Sequence, residues 1–365
     1  MRIAQVAPLF ESVPPRLYGG TERVVSYLTE ALVRQGHDVT LFASDDSETS
    51  ARLVAPCGEA LRLAGRAPAH VAYHLVLLEH VLAEADGFDV VHFHLDTLPL
   101  PLARRMATPS VTTMHGRLDL PELVPLYRTY PEAAVVSISD AQRGPLPWLS
   151  WQATVHHGLP PALYTPREAP GRYLAFLGRI CPEKGILPAI EIARRAGVPL
   201  KIAAKVDDVD RAYFEAEVRP HLGHPLVEYV GEVGDAEKDA FLGEALGVLF
   251  PIDWPEPFGM VMIEAFACGT PVVAFPCGSV PEIMRDGVSG YVVGSVEEAV
   301  AAVRRLDGFD RRRCRAYFEE RFTDARMAAD YVDVYERLLT PAGAPLAAPA
   351  GDGSAGLPLP SAARL

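Results

Sequence analysis

The strongest constraint on this chain is that one pattern occurs twice. Short apolar runs alternate with amphipathic stretches from residue 2 to residue 158, stop over a proline-dense segment, and restart at residue 173. Residues 2–7 are mostly apolar, as a strand buried on both faces must be. A loop with Gly19 and Gly20 follows, and Thr21 can cap a helix that carries Val24, Val25, Leu28 and Leu32 at helical spacing. That helix stops at Gly36, and the next strand is 39–43. A helical stretch over about 70–85 and strands at DVVHFH (89–94), SVTTMH (110–115), AVVSIS (134–139) and ATVHHG (153–158) continue the alternation. Such alternation builds a parallel sheet with helices on both faces.

The break is GLPPALYTPREAPG, residues 158–171. Its four prolines, Pro160, Pro161, Pro166 and Pro170, cannot continue a helix or a central strand. Strands are then expected at 173–178, 200–204, 227–230, 248–251 and 271–275. Helices are expected at 184–196, near 208–219, at 235–245 and 259–268, and over most of 295–340. At about 150 residues per domain, 365 residues make two domains. The expected fold class is α/β, with Rossmann-like parallel-sheet domains over 1–165 and 166–322 facing a central cleft. Ligands bind beyond the carboxyl ends of strands in such sheets. Residues 341–365, rich in Pro, Ala and Gly, are expected to be disordered.

Charge narrows the partners. With 47 acidic and 34 basic side chains the net charge is −13, which disfavours nucleic acid and anionic membrane surfaces while leaving room for a local basic anion site. The five cysteines are odd in number and lack zinc-ligand spacing, as expected of reduced thiols in a cytoplasmic protein. Residues 1–10 lack the long apolar core of a signal peptide. No run reaches the roughly 18 apolar residues of a membrane span, so no transmembrane segment is expected.

No GxGxxG follows any of the expected strands, the one match (351–356) lying in the Pro-, Ala- and Gly-rich tail, and GxxxxGK[ST] does not occur, which weighs against a nicotinamide cofactor and a P-loop. Two other phosphate sites are available. Gly19 and Gly20 place bare backbone where a strand meets a helix N-terminus. FLGRICPEKG sets Arg179 and Lys184 five residues apart after the first strand of the second half, where two cations can clamp a diphosphate. Glu256 and Glu264 stand with seven residues between them in WPEPFGMVMIEAFACGTPVV. Pro255 and Pro257 hold Glu256 out of regular structure. Gly259, Met260 and Val261 would open a helix with free N–H groups. Glu264 lies among apolar neighbours and needs a partner, for which two vicinal ribose hydroxyls would serve. The plainer alternatives are a turn, a solvated cation pair and a capping or salt-bridging pair of glutamates.

His92, His94, His115, His156 and His157 fall at strand ends, and His115, next to Gly116, occupies the strand-to-loop point where a cleft residue belongs. Structural histidines are the commoner outcome, above all for His94. No HExxH-type motif suggests a metal, so no metal ligand and no cofactor is expected. Asp45–Asp46 and Asp207–Asp208 read as solvated loop or cap residues.

Together YGGTE, DVVHFH, TMHG, FLGRICPEKG, the two spaced glutamates, ACGTPVV and GSVPEIMRDGVSGYVV resemble a family: the retaining GT-B glycosyltransferases of family 4, a group with many bacterial glucosyl- and mannosyltransferases. The resemblance covers about residues 1–338. It implies transfer of a hexose from a nucleotide-diphosphate sugar, UDP-glucose before GDP-mannose, to a small-molecule or glycan hydroxyl, without a metal. By resemblance, Arg179, Lys184, Gly19, Gly20 and the N–H groups near Gly259, Met260 and Val261 hold the donor diphosphate. Glu264 binds ribose, Val233 lines the base, Glu256 contacts the transferred sugar, and His115 stands by the anomeric carbon. A helix over about 323–340 would pack back on the first domain. Lys205, in AAKVDD, replaces the glycine-containing loop common in the family. A non-catalytic nucleotide-sugar-binding protein is the alternative.

Overall fold

The computed structural model describes residues 1–17 and 19–340. The first half forms a seven-stranded sheet of β1 (Arg2–Val6), β2 (Asp38–Phe42), β3 (Arg52–Val54), β4 (Val90–Phe93), β5 (Ser110–Thr113), β6 (Val135–Ser137) and β7 (Trp151–Thr154). Its order is β3-β2-β1-β4-β5-β6-β7, parallel throughout. The second half forms a six-stranded sheet of β8 (Leu174–Arg179), β9 (Leu200–Lys205), β10 (Val227–Gly231), β11 (Gly247–Phe250), β12 (Val272–Ala274) and β13 (Gly290–Val292). Its order is β10-β9-β8-β11-β12-β13, again parallel. Strand order reverses beside β1 and beside β8, and each reversal opens a crevice at the strands' carboxyl ends.

Burial explains the strands. Ile3, Ala4 and Val6 of β1 and all of β4 are buried, as a central parallel strand requires. The helix Gly20–Arg34 buries Val24, Val25, Leu28 and Leu32; a fully buried Leu or Val contributes about 1.5–3 kcal/mol. The final helix, Asp324–Leu339, is capped by the Thr323 side chain, which accepts from the Arg326 N–H. It follows the second sheet in sequence but packs on the first half. Met327, Tyr331, Val334 and Tyr335 are buried, and Asp324 is ion-paired to Arg34. The chain returns where Leu159 N–H donates to Phe322 O (2.9 Å) and Asp324 N–H to Leu159 O (3.0 Å). A Cβ on Gly158 would lie 2.2 Å from Thr323 O, so only glycine permits this approach.

Several expectations change. The first helix begins at Gly20 with Gly19 as its cap and no side-chain capping bond, which puts Thr21 inside the helix. β7 ends at Thr154, so His156 and His157 lie beyond it, whereas His92 is inside β4 rather than at its end. β3 and β13 were not anticipated: at three residues each they are too short to show a period. Residues 208–221 form a string of short turns instead of one helix. The tail 341–365 and Tyr18 of YGGTE lie outside the described residues.

Candidate active site

A cavity of about 610 Å³ lies between the two sheets, within the range of small-molecule sites. It is lined by Gly19, Gly20 and His115 from the first half and by Arg179, Lys184, Val233, Glu256, Gly259, Met260, Val261 and Glu264 from the second. These are the residues singled out from the sequence, gathered from separate strand ends, loops and helix starts onto one wall or the other.

Local structure explains each position. Arg179 is the last residue of β8, so it emerges at the carboxyl end of that sheet's central strand. Lys184 precedes Gly185, whose φ of 74° and close fit under Pro251 O turn the chain into the helix Ile186–Ala196. Gly259 caps the helix Met260–Ala267 with φ 79°; a Cβ there would lie 2.9 Å from the Met262 methyl and 3.0 Å from Phe250. The first-turn N–H groups at Met260 and Val261 have no carbonyl one turn back to bond.

The charges are arranged in pairs. Lys184 is ion-paired to Glu256, and its ammonium lies 4.6 Å from the centre of the Trp254 ring. Trp254 Nε1–H donates to the same Glu256 oxygen at 3.0 Å. Arg179 is surrounded by Glu183 (3.2 Å), Asp210 (3.6 Å) and Asp207 (3.8 Å). Lys205 pairs with Asp207 at 2.7 Å and lines the cavity. Asp207 is therefore a partner of two cavity cations rather than a merely solvated loop residue. Its role was hidden because it lies on the loop after β9 while Arg179 ends β8.

Glu264 is buried and accepts from Lys238 Nζ at 3.0 Å. Burial pushes its carboxyl up, but the charges of Lys238 and Arg23 outweigh burial and hold it below the ordinary carboxylate range. Lys238 and Arg23 were not singled out from the sequence, although Lys238 ends GEVGDAEK, the loop expected to line a base. Glu22, in the first turn of the first helix and also on the cavity wall, is pushed up to about 7, chiefly by burial.

His115 stacks on His157 at 5.4 Å, and its Nε2 lies 2.8 Å from His94 Nδ1. Burial pushes its imidazole down to about 3, so the ring is neutral near pH 7. His94 is 2 % exposed and is a structural neighbour rather than a cavity residue. Among the described residues no group of three His, Cys, Asp or Glu is placed to hold a metal ion, and no helix is long and apolar enough to cross a membrane.

Two parallel-sheet α/β domains with a cationic and carboxylate-lined cleft between them define a glycosyltransferase of the GT-B class. Residues 166–316 match the model of glycosyl transferases group 1, and residues 18–175 match that of glycosyltransferase family 4. The chain is 30% identical over 344 residues to a phosphatidyl-myo-inositol mannosyltransferase of Mycolicibacterium smegmatis, covering 84% of each protein. It is similar in structure to AviGT4, a glycosyltransferase involved in avilamycin A biosynthesis, with a TM-score of 0.73, 26% identity, and coverage of 93% of this chain and 98% of that one. It also shares its fold with Anabaena HepE, solved in complex with UDP-glucose, at a TM-score of 0.69, 17% identity and coverage of 92% and 100%. The chain belongs to glycosyltransferase family 4.

Proposed function

We propose that the protein is a retaining hexosyltransferase that moves a sugar from a nucleotide-diphosphate hexose to a hydroxyl acceptor. The observation that carries this is the convergence of two cations, two carboxylates, a helix N-terminus and a neutral histidine on one cavity. Rupture of the sugar–phosphate bond leaves negative charge on the diphosphate and positive charge at the anomeric carbon. Arg179, Lys184 and the N–H groups at Met260 and Val261 stabilise the first. Glu256 stands near the second. In the retaining route implied by the family, the acceptor oxygen bonds the anomeric carbon on the face the phosphate leaves. The acceptor's proton passes to the departing phosphate oxygen, releasing a nucleoside diphosphate. Glu264 takes the ribose hydroxyls, and Val233 lines the base.

The pairing of Lys184 with Glu256 suits this sequence of events. A diphosphate competes for Lys184, and its arrival releases Glu256 to the hexose hydroxyls. UDP-glucose is the first donor proposed. GDP-mannose is the second, favoured by the mannosyltransferase relative that matches over most of the chain. Action in the cytoplasm is part of the same proposal.

A thermal-shift panel tests the donor. Ligands that bind only the folded state raise Tm by mass action. UDP or GDP should raise it, and Arg179→Ala with Lys184→Ala should lose most of the rise. A response to NAD without one to either nucleoside diphosphate would overturn the proposal. Donor hydrolysis or transfer that vanishes in Glu256→Ala separates an enzyme from a non-catalytic binding protein, which would keep the thermal shift with no turnover in the wild type.

A further inference from the structure

The cavity histidine is the end of a buried chain of hydrogen bonds that runs through the first sheet to the final helix. His94 Nδ1 lies 2.8 Å from His115 Nε2, and His94 Nε2 lies 2.8 Å from Gln5 Oε1. Gln5 Nε2–H donates to the Tyr335 hydroxyl at 3.0 Å. Tyr335 Oη lies 2.7 Å from His92 Nδ1, and His92 Nε2 lies 2.7 Å from Thr113 Oγ1. Thr113 Oγ1 meets the Tyr331 hydroxyl at 2.8 Å. Gln5, His92, His94, Thr113, Tyr331 and Tyr335 are all buried, so water cannot substitute for a missing partner.

Only one member of this chain has ends that differ by nature. The amide of Gln5 accepts at Oε1 and donates at Nε2, whereas imidazoles and hydroxyls can do either at each atom. With Oε1 facing His94, His94 must donate from Nε2. His94 is neutral, because burial holds its imidazole far below its ordinary range, so its Nδ1 is bare. His115 must then donate from Nε2, which leaves Nδ1 as its lone-pair nitrogen. On the other side, Tyr335 accepts from Gln5 and donates to His92, which donates in turn to Thr113. Each bond agrees with the next in one direction.

We infer that Gln5 and Tyr335 are positioning residues that fix His115 as the Nε2–H tautomer and so present a hydroxyl-accepting Nδ1 to the substrate. The inference rests on the proposed place of His115 at the reacting centre. It also gives the returning helix a part in the site: Tyr335, contributed from beyond the second domain, anchors the far end of the amide on which the first domain's histidine depends.

The test is nitrogen-detected NMR of histidine-labelled full-length protein, with His115 assigned by its loss in His115→Gln. The wild type should show His115 protonated on Nε2 and bare on Nδ1. Gln5→Glu still accepts from His94 and should preserve that pattern. Gln5→Leu removes the acceptor and should mix the two tautomers of His94 and His115. Tyr335→Phe keeps the ring packing but frees the amide, and should also mix them. In the mixed variants kcat should fall in proportion to the fraction of His115 left bare on Nδ1, about twofold for an even mixture, with the Kd for UDP unchanged. Protonation on Nδ1 in the wild type would mean that the amide and the whole chain run the other way, and would overturn the inference. So would an unchanged tautomer in both Gln5→Leu and Tyr335→Phe, or an unchanged kcat where the tautomer has switched. If the wild type transfers no sugar, the proposed function fails, while the tautomer is still read directly from the spectrum.

Discussion

Lys184 and Glu256 neutralise one another across the cavity, with Trp254 touching both. Removing either therefore does more than delete a contact. In Lys184→Met the diphosphate loses a charge-assisted partner, and Glu256 is left in a largely buried place beside the incoming anion. A charged hydrogen bond contributes about 1.5–3 kcal/mol, so UDP or GDP should bind roughly 10- to 100-fold more weakly by calorimetry. Glu256→Gln acts the other way. It releases Lys184 and removes a like charge, so nucleotide affinity should hold or rise, while kcat falls at least about 100-fold through loss of charge at the reacting centre. Parallel losses of affinity in the two variants would contradict the division of labour between them. The same residue scale shows what sequence could not supply. Arg179 and Lys184 were legible because they stand at the end of a strand and just beyond it. Asp207, Asp210 and Lys238, which balance the cavity charges, come from other segments, and nothing local marks them.

At the scale of elements, two glycines at helix starts separate stability from binding. Gly259 has a positive φ, and an added Cβ would press on Met262 and Phe250. Gly259→Ala should cost about 1–3 kcal/mol, read as a lower Tm without ligand. Gly20 is already helical, and a Cβ there meets nothing within 4 Å, yet the residue lines the cavity. Gly20→Ala should leave the ligand-free Tm equal to or above wild type, since alanine lowers unfolded-chain entropy, while shrinking the nucleotide-induced shift. A large stability loss in Gly20→Ala would show that the loop, not the ligand, requires the glycine. Elements were the most legible level of this chain, because apolar period and turn chemistry are local. The failures were local as well: β3 and β13 are too short for a period, and Pro220 interrupts the stretch 208–221 near its end. The crossing of the final helix was not visible in its pattern. An amphipathic face such as Met327, Tyr331, Val334 and Tyr335 says that something covers it, not that the cover is the first helix some three hundred residues earlier.

At the scale of the molecule, the halves are tied together by side chains that titrate. Glu282 of the second half accepts from the N–H groups of Asp140 (2.8 Å) and Ala141 (3.3 Å) and from His156 Nε2 (2.6 Å) in the first. Burial raises the Glu282 carboxyl, but these bonds outweigh it and hold it low. The histidines in and behind the cleft dominate near neutral pH. Burial holds His92, His94, His115 and His157 below the ordinary 6.5, His115 at about 3. Between these limits the unfolded chain binds protons that the folded one refuses, so each such group lowers stability as pH falls below 6.5. Glu22 opposes them. Its folded form keeps a proton up to about 7 against 4.5 when unfolded, so its share of stability is complete below 4.5 and is lost as pH rises to 7. Several histidines outweigh one glutamate, and the net slope is positive: Tm should be lower at pH 5 than at pH 7.5. Glu22→Gln removes the opposing slope. Its Tm should gain on wild type steadily from pH 4.5 to 7 and by no more above 7. Curves that run parallel across that interval would mean that Glu22 is already ionised in the fold, and a wild-type Tm that is flat from pH 5 to 7.5 would mean that these histidines are not held neutral.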